Sequence, residues 1–588
     1  MKFCPNCGAK LSGAPFCKNC QAPVQKMFND LNREEFAEFL IYKDFEYEKL
    51  SNGNIVLIKC KNKNLQTISV PDFIQEIKAG CFANCVNLTD VYFEGTLGVI
   101  PNHCFSFCSK LNYIELPQGL TRIEECAFSD CSSLDEITIP RGVTFIGDRA
   151  FDNCSALDSV YIPSTVKQIG RDAFLRCTAL SSVTADDVES WCATIFGNYC
   201  SCPTFYGADV CFEKNEDITV LNLSNVRKIP PFAFANCGDI EKVIFSNFLN
   251  EFSPLAFYNC FSLEKLSIIK GDFEGFKVIN NCLIRKDTLV FAACGSVVPS
   301  NLATVKAGAF CACSCEVEIT FDDPSIFLEK GALFGTTPEY LTLPMCDAYS
   351  LAELFTLQDI HNSSTTIGEI PKRFKELKIT SLPVLKNNAF NGVEEIEKLI
   401  LPNNLTKIEN LALSNFTTSE LTIPASVTQL GGWNVEKGVR NIKLANGSPF
   451  TYKDGCIIDT ANKKLIVAIN ADKVPSNIKI VGEYAFLGNT KITELNTQGI
   501  HHICNRAFAD CSNLTKVIIG DTTAVIECDA FYCCTKLNSV IFKEKVWWNV
   551  TEKTYDWKTT SFLPKNEKPD YNLSLFKNEL KYKRIVKR

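Results

Sequence analysis

The stretch AFDNCSALDSVYIPSTVKQIGRD, residues 150–172, decides the fold, because its apolar positions return every 23 residues on either side of it. Leu157 falls in a column with Leu88, Leu111, Leu134 and Leu180. Val160 aligns with Val91, Ile114, Ile137 and Val183, and Ile162 aligns with Phe93, Leu116, Ile139 and Ala185. Val166 continues Leu97, Leu120 and Val143, while Ile169 continues Ile100, Ile123 and Ile146. Phe151 belongs with Phe82, Phe105, Phe128 and Phe174, and a cysteine follows each: Cys85, Cys108, Cys131, Cys154 or Cys177. One such unit cannot bury its apolar face alone, so the units must stack, and the fold class is a repeat solenoid.

Within the unit, Leu157 to Ile162 has the spacing of a short strand. Alternation along it points Val160 and Ile162 inward and Ser159 and Tyr161 outward. Pro163 lacks the N–H that a continuing ladder needs and ends the strand. The segment through Val166 and Ile169 returns on the opposite, convex side, and the Ala-Phe pair packs the turn into the next unit. The closing signature recurs as AFANC at Ala233, AFYNC at Ala256, AFCAC at Ala309, AFADC at Ala507 and AFYCC at Ala530. This unit resembles the leucine-rich repeat of the BspA-like type. The resemblance covers residues 45–545 and implies a mainly β solenoid with parallel strands on a concave face, built for binding.

The regularity has interruptions. Residues 186–232, with Trp191, Cys200, Cys202 and Cys211, depart from the unit. The strings VINNCLIRKDTLVFA (278–292) and YKDGCIIDTANKKLIVA (452–468) resemble each other and predict inserted hairpins. The organisation read from the chain is a zinc ribbon over 1–23, a linker or short helix over 24–44, and a first solenoid block over 45–337. An irregular spacer follows over 338–370, then a second block over 371–545, and a C-terminal cap with a basic tail over 546–588. The segment FEYEKLSNGNIVLIK from Phe45 resembles a cap that shields the first coil. The plain reading of the tail ELKYKRIVKR is a solvated terminus.

One chemical motif stands outside the repeat. Cys4 and Cys7, then Cys17 and Cys20, form two CxxC pairs. Zinc takes four thiolates in a tetrahedron, and two CxxC knuckles supply two each. A segment this small holds no core, so the metal supplies its folding energy, and one structural Zn2+ is expected. A redox CxxC would need a thioredoxin-like context and leaves the second pair unexplained. Lys2, Lys10 and Lys18 without an acid make residues 1–23 basic, a weak pointer to nucleic acid that ordinary solvation also explains.

Composition excludes several classes. The net charge of −7, with mixed signs, argues against a nucleic-acid surface over the whole molecule. Ten of the 31 cysteines share one repeat position, where a small core residue is wanted. Stacked in register they point parallel, an orientation unsuited to a disulfide, so they read as reduced thiols in a reducing compartment. The start MKFCPNCGAK lacks a secretory pattern and no apolar run is long enough to span a bilayer, so a cytoplasmic protein is expected. Four histidines exist: His103, in a core-turn position, His361, and the pair His501 and His502 near Cys504, whose side chains diverge along an extended segment. No nucleophile–base set or phosphate loop stands out, and the reading is not an enzyme. The outward strand columns are the expected protein-binding surface, with Tyr92, Tyr113, Glu115 and Tyr161 in the first coils and Lys242 and Lys265 further on. The alternatives are a surface adhesin, which the family resemblance suggests, and a ribbon that contacts nucleic acid while the solenoid recruits a protein.

Overall fold

A computed structural model describes residues 44–52, 54–213, 218–269, 275–313, 318–345, 350–358, 366–543, 548–552, 561–563 and 583–587. Each regular coil has three sides. On the first, a strand such as Ser159–Ile162 pairs in parallel with Glu136–Thr138 behind and Ser182–Ala185 ahead. Val160 and Ile162 are buried and Ser159 and Tyr161 half-buried, as the alternation requires. On the second, the two-residue strand Gln168–Ile169 pairs with Phe145–Ile146 and Ile195–Phe196. The third is the turn that carries the Ala-Phe pair. There the Phe128 and Phe151 amides donate to the Ala150 and Ala173 carbonyls one coil on. Hydrogen bonds along the stacking direction on all three sides satisfy the peptide groups of a chain with few long elements.

The turns explain the signature. Asn84, Phe107, Asp130, Asn153 and Arg176 form a column of left-handed residues with φ between 61° and 63°. Asn and Asp enter that region at least cost among residues with a Cβ, which accounts for the N-C and D-C endings. His103, Cys126, Arg149 and Asp172 form a second left-handed column. His103 is therefore not a core-turn residue: it is exposed, and the inward place beside it belongs to the buried Cys104.

The core is a pair of ladders. Phe82, Phe105, Phe128, Phe151 and Phe174 stack ring on ring at 5.1–5.3 Å with 1–12° between planes. Beside them Cys108, Cys131, Cys154 and Cys177 donate Sγ–H to the carbonyls of Phe82, Phe105, Phe128 and Phe151 at 3.1–3.2 Å. Cys260, Cys511 and Cys534 do the same to Phe234, Phe486 and Phe508. Burial pushes the Cys177 thiol up to about 12, which keeps it a neutral donor. These cysteines are free thiols.

Departures from the unit have local causes. In 186–232, Asp187 caps the helix Val188–Ala193 by accepting from the Ser190 amide, and Trp191 is buried with its Nε1 donating to the Ala233 carbonyl. The strand Asp209–Phe212 nonetheless resumes the parallel register with Ser182–Ala185. Both expected hairpins form: Phe276–Ile279 and Thr288–Ala292 flank Cys282–Arg285, and Phe450–Lys453 and Lys464–Ala468 flank Cys456–Asp459, all antiparallel. Inside the stretch read as a spacer, Tyr340–Pro344 pairs in parallel with Glu318–Thr320 and with Arg373–Ser381. Two compact units divide the chain, residues 1–297 with 308–314, and 298–307 with 315–588.

Each unit has an antiparallel element at one end of its stack. In the first, Phe45–Lys49 and Ile55–Cys60 form the hairpin expected of a cap, and Ile55–Cys60 then pairs in parallel with Ile74–Ile77. In the second, part of the basic tail is paired into a sheet. Lys583–Lys587 is a strand that pairs antiparallel with Val525–Ile526 and with Trp548–Glu552, because the last short strand of the stack otherwise offers an open edge.

Candidate binding face

The longer strands of the first coils turn alternate residues outward. Thr67–Val70, Asp90–Phe93 and Tyr113–Ile114 pair in parallel, which sets Asp90 opposite Tyr113 and Ser69 opposite Tyr92. The Tyr92 and Tyr113 rings lie 5.7 Å apart at a 42° tilt, and Tyr113 is 42% exposed. Burial, and then the Asp90, Tyr113 and Glu115 groups around it, raise the Tyr92 hydroxyl above the ordinary tyrosine value. Glu115 and Glu136 are exposed on the same face. Directly beneath, Val91, Ile114 and Ile137 are buried, so the face stands on packed core.

Tyr161 sits on a later coil and is engaged differently. Its hydroxyl donates to Asp186 and accepts from Arg141 Nε at 3.2 Å. Asp186 also accepts from the Ser164 amide at 2.9 Å, from Ser164 Oγ at 2.6 Å and from Arg141 at 3.1 Å. Burial opposes its charged form, but the Ser164 and Tyr161 hydroxyls, the Ser164 amide and the Arg141 guanidinium hold the carboxyl down at about 2. Lys242 and Lys265 stand opposite each other on Lys242–Phe245 and Lys265–Ile268, a like-charged pair. Two groups therefore emerge: a tyrosine–carboxylate cluster that grades into the Tyr161 network, and a lysine pair.

Sequence reasoning missed Asp186, Arg141 and Ser164. It also missed the ion pairs that cross the coils of the second unit: Lys375 with Glu339, Lys398 with Glu376, and Lys443 with Glu420, at 2.6–2.7 Å. A signal was available for the last two, whose partners stand 22 or 23 residues apart, one coil in this chain.

Cys4, Cys7, Cys17 and Cys20 lie outside the described residues. Among the described residues no group of three or more His, Cys, Asp and Glu side chains is arranged to hold a metal ion. His502 Nε2 meets Glu527 at 2.9 Å and His501 is exposed. No helix among the described residues is long and apolar enough to cross a membrane.

The family model described as "BspA type Leucine rich repeat region" matches residues 58–188, 208–285, 370–447 and 463–554. No curated protein sequence matches the chain. Among solved structures, a leucine-rich repeat protein of T. pallidum is 26% identical over 38% of this chain and 88% of its own, with a TM-score of 0.26. A leucine-rich cell surface protein of Faecalibacterium prausnitzii is 16% identical over 85% of this chain and 94% of its own, with a TM-score of 0.30. A leucine-rich repeat protein of Bacteroides ovatus is 16% identical over 85% and 93%, with a TM-score of 0.26. The matched spans cover more than half of the sequence and fall on the three-sided coils and their stacked phenylalanines, and the protein belongs to the BspA type leucine-rich repeat family.

Proposed function

We propose that this protein is a non-enzymatic scaffold that binds another protein on the outward columns of its longer strands. Tyr92, Tyr113 and Glu115 form the main contact, with Tyr161, Lys242 and Lys265 extending it. The observation that carries the reading is the Tyr92–Tyr113 ring pair, Tyr113 exposed and Tyr92 half-buried, seated on a packed core. Two adjacent aromatic rings on a preformed sheet bury area at small entropic cost, which is what an interface anchor needs. The carbonyl-bonded free thiols support a reducing, cytoplasmic setting. Ahead of the first coil, Cys4, Cys7, Cys17 and Cys20 bind one structural zinc.

The test of the face is capture of a partner by the native chain and by Tyr92→Ala, Tyr113→Ala and Tyr161→Phe combined, with unfolding followed in parallel. Loss of capture with unchanged unfolding supports the reading; undiminished capture overturns it. For the ribbon, elemental analysis of the purified chain should find one zinc, lost in Cys4→Ser with Cys17→Ser. A zinc-free native protein refutes that assignment.

A further inference from the structure

Outward carboxylates of the first coils lack the counter-charges met elsewhere, as where Arg141 meets Asp186 and Glu213 later in the same unit. In the second unit Glu339, Glu376 and Glu420 are each answered by a lysine on the neighbouring coil. In the first, Asp90, Glu94, Glu115 and Glu136 surround the tyrosine pair, and among the described residues no lysine or arginine lies at ion-pair distance from any of them. Glu94 accepts from Ser69 Oγ at 2.9 Å and Asp90 from Thr89 Oγ1 at 2.7 Å, both neutral donors that leave the charge in place. A set of like charges held together on a rigid sheet costs free energy, which a cationic partner relieves. The tyrosine rings between the carboxylates offer their faces to the same kind of group.

Resting on the scaffold reading above, we propose that this face takes an extended, lysine- or arginine-rich segment of the partner protein. Its cationic heads lie among Asp90, Glu94, Glu115 and Glu136, and its alkyl stems cross the Tyr92 and Tyr113 rings. Coils stack about 4.8 Å apart, so the face from Thr67–Val70 to Glu136–Thr138 extends roughly 14 Å, the reach of about four extended residues. The recognised segment is therefore short, and its basic side chains alternate so that they share one side.

The probe is a fluorescein-labelled peptide of alternating lysine and serine, about six residues long to cover that reach. Anisotropy with the full chain is measured at low and high salt, against a peptide with glutamate for lysine. The lysine peptide should bind, weaken with salt, and weaken about tenfold when Glu115→Lys and Glu136→Lys are combined. Tyr113→Ala should weaken it about fivefold, while Glu420→Lys on the second unit leaves it unchanged. Equal affinity in Glu115→Lys/Glu136→Lys, or equal losses there and in Glu420→Lys, overturns the proposal. So does tighter binding after Lys2→Gln, Lys10→Gln and Lys18→Gln, which makes the occupant the chain's own N-terminal segment. The partner-capture assay separates the two readings: capture that needs the tyrosines but ignores Glu115 and Glu136 keeps the scaffold and removes the basic segment.

Discussion

Replacing Phe128 by alanine removes one ring from the middle of the aromatic ladder. The ring is fully buried and stacks on Phe105 at 5.3 Å and 9° and on Phe151 at 5.3 Å and 1°. Truncating a buried phenylalanine costs about 3–5 kcal/mol through lost transfer energy and the cavity left behind. A share of that belongs to the ring pairs, about 0.5–1.5 kcal/mol each. Phe128→Ala and Phe151→Ala remove the same pair, so the double variant should be less destabilised than the sum of the singles by about 1 kcal/mol. Phe128→Ala combined with Phe508→Ala, which lies in the other unit, should be additive. Stacked arrays open locally rather than all at once, so the assay is native-state hydrogen exchange at the Phe128, Phe151 and Phe508 amides. Each of these amides donates to the next coil, to Ala150, Ala173 and Ala530 respectively. Phe128→Ala should lower protection at 128 and 151 and leave 508 unchanged. Additive losses for the neighbouring pair, or an equal fall at 508, would refute the ladder as an energetically coupled element.

Three further outcomes follow from single contacts. A methyl group at Gly147 would meet the Glu124 carbonyl carbon and the Glu125 nitrogen at 2.5 Å, so Gly147→Ala should cost about 1–3 kcal/mol, read as a lower urea midpoint. Asp186 is charged in both folded and unfolded states above its ordinary value of 3.8, where its contacts stabilise fully. That contribution is lost as pH falls to about 2, so the stability gap between native protein and Asp186→Asn should close over that window; a gap constant with pH contradicts the network. Lys398→Ala breaks an exposed pair with Glu376 and should cost under about 1 kcal/mol, vanishing at high salt in thermal melts.

The coil was legible because its apolar columns repeat without slippage: Leu157, Val160, Ile162, Val166 and Ile169 are all buried, where the period puts them. The hairpins were legible for the same reason, since two copies of one string declared each other. The turns were less so. A left-handed backbone leaves its trace in Asn153 but not in Phe107 or Arg176, whose identities run against the preference. The Asp186 network was hidden because its members come from three coils, with Arg141 and Ser164 unremarkable until stacking brings them to one carboxylate. The tail strand was hidden because a run of lysines and arginines reads as solvent-facing, and strand pairing depends on the backbone rather than on those side chains.

The strand Lys583–Lys587 also bears on how the protein is made. Coils pair with their immediate neighbours, so those up to Val525–Ile526 can form in order as they leave the ribosome. The edge at Val525–Ile526 is filled by a segment synthesised long after it, and until then the nascent chain carries an open strand. Polysomes bring such edges from several chains close together, and an open edge is a template for a neighbour's strand. Emergence of Lys583–Lys587 from the ribosome, rather than completion of the coils, is thus the step that closes this edge to its own siblings.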